Sequence, residues 1–230
     1  MKKIAILLCA IGITGSSSTF ADSVCVDKHM KLQCKSGSVD SVSYTGMVYA
    51  DGTTVVNDFN VWGNVNVMNA HLNRLNVKGA TNISKTNING EVDLTGSLTI
   101  NDVDLHSTSR ITGDLFGGHI TLYSKANIVG TIECTACSFK GDATLIGDIT
   151  LVDSEFSSTA KMNFRKAHFS NTKINDVVVA SPDDDKEQTM YLQQNSTVHN
   201  ITFQGGKGIV ILSDNSEIIG QVQGGKIQKS

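Results

Sequence analysis

Apolar residues in this chain come in i, i+2 pairs, and the pairs return at one fixed step. Val92/Leu94, Leu98/Ile100 and Val103/Leu105 form one set. Adding 17 gives position 109 with Ile111, then Leu115, then Ile120/Leu122. A further 17 gives Ala126/Ile128, Ile132/Cys134 and Cys137/Phe139, and the next set is Ala143/Leu145, Ile149/Leu151 and Ser154/Phe156. Gly79, Gly96, Gly113, Gly130 and Gly147 keep the same step. An i, i+2 pair points to one side of a strand. Three pairs per period therefore predict three short strands per turn of a coil, with the pairs turned inward. Such coils stack at about 4.8 Å, the strand spacing of a sheet. None buries its pairs alone, so neighbours complete the core. The expected fold is all-β: a right-handed parallel β-helix of three-sided coils of about 17 residues. The hand follows from the general preference of parallel crossovers. The recurrent glycine is expected at a corner, where a residue without Cβ is least strained. A β-sandwich would place strands every 8–12 residues without a fixed register.

The register has limits that suggest a division of the chain. Residues 1–21 have a basic start at Lys2 and Lys3, an apolar run from Ile4 to Ile13, and Thr19-Phe20-Ala21 as a small-x-small cleavage signal. That is the plan of a secretory signal peptide. Residues 22–54 fit the repeat poorly and are expected to form an N-terminal cap. Residues 55–180 carry the repeating coils, beginning with Phe59/Val61, Val65/Val67 and Ala70/Leu72 after a one-residue slip. Toward the end of this stretch the expected pairs are Met162/Phe164, Ala167/Phe169, Thr172/Ile174 and Val177/Val179. Residues 181–188, with Asp183-Asp184-Asp185, read as an acidic surface loop. Residues 189–230 show a longer period, in which Asn195-Ser196 returns as Asn215-Ser216. They are expected to form wider coils.

The turns Val61-Trp62-Gly63-Asn64-Val65, Val129-Gly130-Thr131-Ile132 and Ile146-Gly147-Asp148-Ile149 resemble those of bactofilins, bacterial polymer-forming proteins. The resemblance covers about residues 55–180. It implies a right-handed β-helix able to associate end to end. The export signal and the cysteines depart from that family, whose members act at the cytoplasmic face. What carries over is a scaffold.

Export makes the cysteines informative. Cys25, Cys34, Cys134 and Cys137 are an even number in an oxidising compartment, and four cysteines allow three pairings. Cys25–Cys34 within the cap and Cys134–Cys137 across a corner are the local choice. Redox Cys-x-x-Cys pairs sit at helix N-termini; here both residues occupy inward columns, which favours buried structural sulfur. His29, His71, His106, His119, His168 and His199 show no metal-ligand spacing. His119 precedes an inward pair and should lie outward or at a corner. Asp114 and Asp148 share a column two coils apart, about 9–10 Å at sheet spacing. A glycosidase could use that separation, but their column lies at a turn, which favours solvated turn residues. The acidic loop lacks the ligand spacing of a calcium loop.

The outward positions are polar. The first side shows Asn76, Asp93, Arg110, Asn127 and Thr144, the second Asn82, Thr99, Phe116, Glu133 and Thr150, and the third Asn87, Asp104, Thr121, Ser138 and Glu155. Phe116 alone is aromatic, whereas sugar-cleaving β-helices need aromatic platforms beside stacked charges. The net charge of −3 disfavours nucleic acid as a partner. No stretch after the leader is apolar enough to span a bilayer. The sequence thus suggests an exported, periplasmic or cell-surface scaffold without catalytic site, metal or cofactor. Its expected partner is a second copy of itself, in a limited oligomer, or an envelope or surface component. Ile218 and Val222 are the candidate self-association residues. An adhesin or glycan-binding module is the alternative, and a polysaccharide-active enzyme is a more distant one.

Overall fold

A computed structural model describes residues 24–181 and 186–230. The expected signal peptide and residues 182–185 of the acidic loop lie outside the described residues. Every regular element among the described residues is a strand. The strands stack as a parallel β-helix whose register is that of the repeat. On the first side Val92–Thr95 pairs with Ser109–Thr112, which pairs with Ala126–Val129, which pairs with Ala143–Ile146, always in parallel. The partners are one repeat apart: Leu94 opposite Ile111, Ile111 opposite Ile128, Ile128 opposite Leu145. The second and third sides follow the same step, with Leu98 opposite Leu115 and Leu105 opposite Leu122.

Alternation explains the burial. In the coil holding Ala126, Ile128, Ile132, Cys134, Cys137 and Phe139, every inward residue is at most 4% exposed. Burying an Ile or Phe side chain contributes about 1.5–3 kcal/mol, and an in-register stack repeats that gain in each coil. Like residues also meet like: the rings of Phe139 and Phe156 stack at 4.4 Å.

Two of the corners are built differently. Between the first and second sides runs the glycine column, which extends beyond the expected set to Gly46 and Gly63, all at positive φ. A Cβ on Gly113 would lie 2.2 Å from the carbonyl oxygen of Gly96, one coil away. The coils thus approach too closely there for any side chain, and the glycine is needed for both its space and its φ. Between the second and third sides the chain turns through one left-handed residue per coil, often Asn or Asp (Asn69, Asp102, Asp153 and Asn171), and through two in the last coils, Gln194-Asn195 and Asp214-Asn215. These types tolerate that conformation best after glycine. The turn interrupts the ladder, and buried hydroxyls restore it. Ser154 Oγ donates to the Val152 carbonyl at 2.8 Å and accepts from the Cys137 amide at 3.1 Å. Ser196 and Ser216 accept from the amides of Thr172 and Ser196 in the same way. Polar residues thus enter the core where a backbone amide would otherwise be unpaired.

The structure revises the expected layout at two places. The coils start well before residue 55. Lys31–Cys34 already pairs in parallel with Met47–Ala50, and Val42–Asp51 with Phe59–Met68. Val42, Tyr44, Val48 and Ala50 are buried at the positions the repeat requires; their polar neighbours and a tyrosine in a core column hid them. The cap is therefore short. Cys25–Asp27 turns through His29 and Met30 and pairs antiparallel with Lys31–Cys34, covering that strand's outer edge. Second, the inward pair near residue 162 is Ala160/Met162, opposite Ala143/Leu145. Phe164 is buried beyond that pair, where the coil takes an extra residue, so that Ile149 faces Ala167. Beyond the loop Lys166 faces Thr189 and Thr189 faces Ile209, in line with the longer C-terminal period, whereas Ile209 faces Lys226 at the 17-residue step again.

Candidate functional site: the C-terminal end of the coil

The last coil is where the stack stops. Its three sides are Glu217–Ile218, Val222–Gln223 and Gly225–Lys229, each paired in parallel on its inner edge. Among the described residues no strand pairs with their outer edges. Ile218 continues the inward column of Ile174 and Val198, and Val222 that of Val177 and Ile201. Both pack on the core but remain only half-buried. Ile227 continues the column of Met190 and Val210, which are fully buried, yet it is 50% exposed. Ile219, at the adjoining corner, is 64% exposed. Ile218, Val222 and Ile227 thus end three inward columns at the last coil, and Lys229 ends the inward column of Leu192 and Leu212 beside Ile227.

The N-terminal end differs. Its first edge is paired by Cys25–Asp27, and Cys25 is bonded to Cys34. The Tyr44 hydroxyl donates to Asp27 at 2.9 Å, and Lys31 Nζ lies 4.3 Å from the centre of the Tyr49 ring. A polar, cross-linked hairpin thus covers the outer edge of Lys31–Cys34 at this end, whereas Gly37–Val39 pairs only with the following coil. Ile218 and Val222 were legible from the sequence as members of this end. Ile227 and Ile219 were not singled out, although Ile227 follows Val210 by one period of the repeat and so falls in its column.

Cys134 and Cys137 lie in facing inward columns around the left-handed residue Ala136, with sulfurs joined and side chains 4% and 1% exposed. Such burial leaves no room for an attacking thiolate and makes the pair a corner staple. The histidines are spread over the surface. His119 sits at a corner at positive φ, 3.8 Å from Asp102. His106 stacks on Tyr123, and His168 on Tyr191 one coil further. His29 is in the cap turn, and His71 is exposed on the third side. Among the described residues no three His, Cys, Asp or Glu side chains converge as metal ligands. The acidic run Asp183-Asp184-Asp185 lies outside the described residues.

Asp114 accepts a hydrogen bond from the Thr131 amide at 3.2 Å, which makes it a turn residue, and Asp148 is exposed. The remaining carboxylates form surface ladders. Glu155 accepts from Ser138 at 2.7 Å and pairs with Lys140, and these contacts hold its carboxyl below the usual range. Asp176 accepts from Asn200 at 2.9 Å and contacts His199 at 3.2 Å, and is likewise lowered. Beside Asp176 a shallow depression of about 370 Å³ is lined by Thr159, Asn200, Thr202, Gln221 and Gln223. It offers amides and hydroxyls but no ring.

No described helix is long and apolar enough to cross a membrane. Comparison with protein-family models, with characterised proteins and with solved structures returns no significant match to this chain.

Proposed function

We propose that the protein is an exported, non-enzymatic scaffold of the bactofilin kind, acting in the periplasm or at the cell surface and self-associating through its C-terminal end. The observation that carries this reading is the difference between the two ends. An unpaired strand edge is a template for another chain, and here it borders inward side chains that remain half-buried or exposed. At the opposite end a hairpin occupies the outer edge of Lys31–Cys34, which opposes growth on that side and favours a limited oligomer over a long polymer. The polar long faces suit solubility and broad contacts rather than a catalytic cleft.

The test is sedimentation of the mature protein across a concentration series. The parent should rise toward twice the monomer mass, and a variant carrying Ile218→Lys and Val222→Lys should stay monomeric with an unchanged circular dichroism spectrum. Should that variant unfold, Ile219→Lys at the exposed corner serves in its place. A parent that remains monomeric at every accessible concentration refutes self-association. The second reading, a glycan-binding module, is favoured by the amide-lined depression beside Asp176. It predicts saturable binding to a glycan that Asn200→Ala abolishes.

A further inference from the structure

We propose that the second side of the coil binds an extended, uncharged β-1,4-linked polysaccharide, laid along the rod with Phe116 as its central contact. The inference is independent of self-association and of the depression beside Asp176. It starts from one outward column. Tyr49 faces Asn66, Asn66 faces Asn82, Asn82 faces Thr99, and Thr99 faces Phe116. Beyond Phe116 the column runs through Glu133 and Thr150 to His168 and Tyr191. Aromatic rings thus stand in a single line, separated by short amide, hydroxyl and carboxylate side chains. Four coil steps separate Phe116 from Tyr49, and four separate it from Tyr191.

The outer rings already have neighbours. Lys31 Nζ lies 4.3 Å from the centre of the Tyr49 ring, and His168 stacks on Tyr191 at 4.4 Å. Among the described residues no ring stacks on Phe116, which is 39% exposed. Gly118, the next outward residue on its strand, has no side chain. Beside Phe116 opens a shallow depression of about 290 Å³, lined further by Glu133, Thr135, Thr150 and Val152. A pyranose ring offers an apolar face of C–H groups and a rim of hydroxyls. The negative face of an aromatic ring attracts such C–H groups. The Glu133 carboxylate accepts hydrogen bonds from hydroxyls, and Thr150 both donates and accepts. The depression therefore matches a sugar in both its apolar and its polar parts.

Charge and spacing select the class of polymer. Residues 64–68, 80–84 and 97–101 carry the face from Tyr49 to Phe116 and include no charged side chain. Around Phe116 the charged residues of this face are the carboxylates Asp114, Glu133 and Asp148. Such a face repels a polyanion and is complementary to an uncharged, hydroxyl-rich chain. Coils recur at about 4.8 Å. An extended β-1,4-linked hexose chain advances by a similar length per ring, so successive sugars meet successive coils. A chain of six rings then reaches from Phe116 to either flanking ring.

The test is isothermal titration of the full chain with the hexamers and disaccharides of β-1,4-linked glucose and of β-1,4-linked N-acetylglucosamine. At least one hexamer should bind at least tenfold tighter than its own disaccharide, with the same affinity at low and high salt. Phe116→Ala should weaken that binding at least tenfold, and Phe116→Trp should keep it, with circular dichroism confirming the fold of each. Should Phe116→Ala unfold, Thr150→Arg, which fills the depression, serves in its place. Asn200→Ala should leave the affinity unchanged. Equal affinity for hexamer and disaccharide overturns the extended track. Undiminished binding by Phe116→Ala, with loss in Asn200→Ala, moves the glycan to the depression beside Asp176 and overturns this site. Failure of both hexamers to bind overturns the proposal whatever the oligomeric state of the parent.

Discussion

Gly113→Ala tests the corner that sets the coil. Gly113 has φ near +131°, and an added Cβ would meet the Gly96 carbonyl oxygen at 2.2 Å. Two costs follow. Holding a non-glycine residue in that backbone region costs about 1–3 kcal/mol. Moving packed backbone away from the new methyl costs a further ~1–3 kcal/mol, because Gly96 and Gly130 pin the coils on both sides. The expected loss is therefore about 2–6 kcal/mol, a large share of the ~5–15 kcal/mol that holds a typical domain. Gly206→Ala is the internal control. Its φ is +69°, but no atom lies within 4 Å of the added Cβ, so only the backbone cost of about 1–2 kcal/mol remains. Urea unfolding followed by circular dichroism gives the midpoint and slope for each variant. The Gly113→Ala midpoint should fall at least twice as far as that of Gly206→Ala. Equal shifts would show that positive φ alone explains the glycine column, and would refute the argument from close approach.

Other outcomes follow from the same geometry. Ile128→Asp places an unpaired carboxylate at a fully buried position; the variant should be insoluble or unfolded, and a soluble, cooperatively folding product would refute the register. Peptide mapping of the unreduced mature protein should recover Cys25 bonded to Cys34 and Cys134 bonded to Cys137, and four free thiols would refute both pairings. Replacing Cys25 and Cys34 with serine should cost about 2–3 kcal/mol, the loop-closure value for a loop of this length, read as a lower urea midpoint. Glu155 has a carboxyl pKa depressed by Lys140 and Ser138. Its stabilisation is present above the unfolded value near 4.3 and is lost as pH falls through the lower folded value. The pair is half-exposed, so Glu155→Gln should change stability at neutral pH by less than about 1 kcal/mol. Its effect should vanish below that window, and a difference that grows as pH falls would contradict the assignment.

The period of the repeat determined most of the fold, because an inward pair in a stacked coil has only its counterparts one period away to pack against. Leu94, Ile111, Ile128 and Leu145 are neighbours for that reason alone, and their spacing says so. The period also placed Cys134 and Cys137 in facing inward columns. It could not reveal where a coil carries polar residues inward. Thr86, Ser154 and Ser196 are buried because corner geometry leaves an amide for each hydroxyl to accept, and that demand exists only once coils stack. The same blindness hid the early coils around Val42–Ala50, where the inward column includes a tyrosine hydrogen-bonded to the cap. The candidate site shows the divide most clearly. Ile218, Val222 and Ile227 read in the sequence like any other core residue, since each stands one period after a buried partner. Tertiary structure alone decided their exposure, because burial in a stack depends on whether another layer follows, and the position of the last layer is a property of the whole assembly of coils.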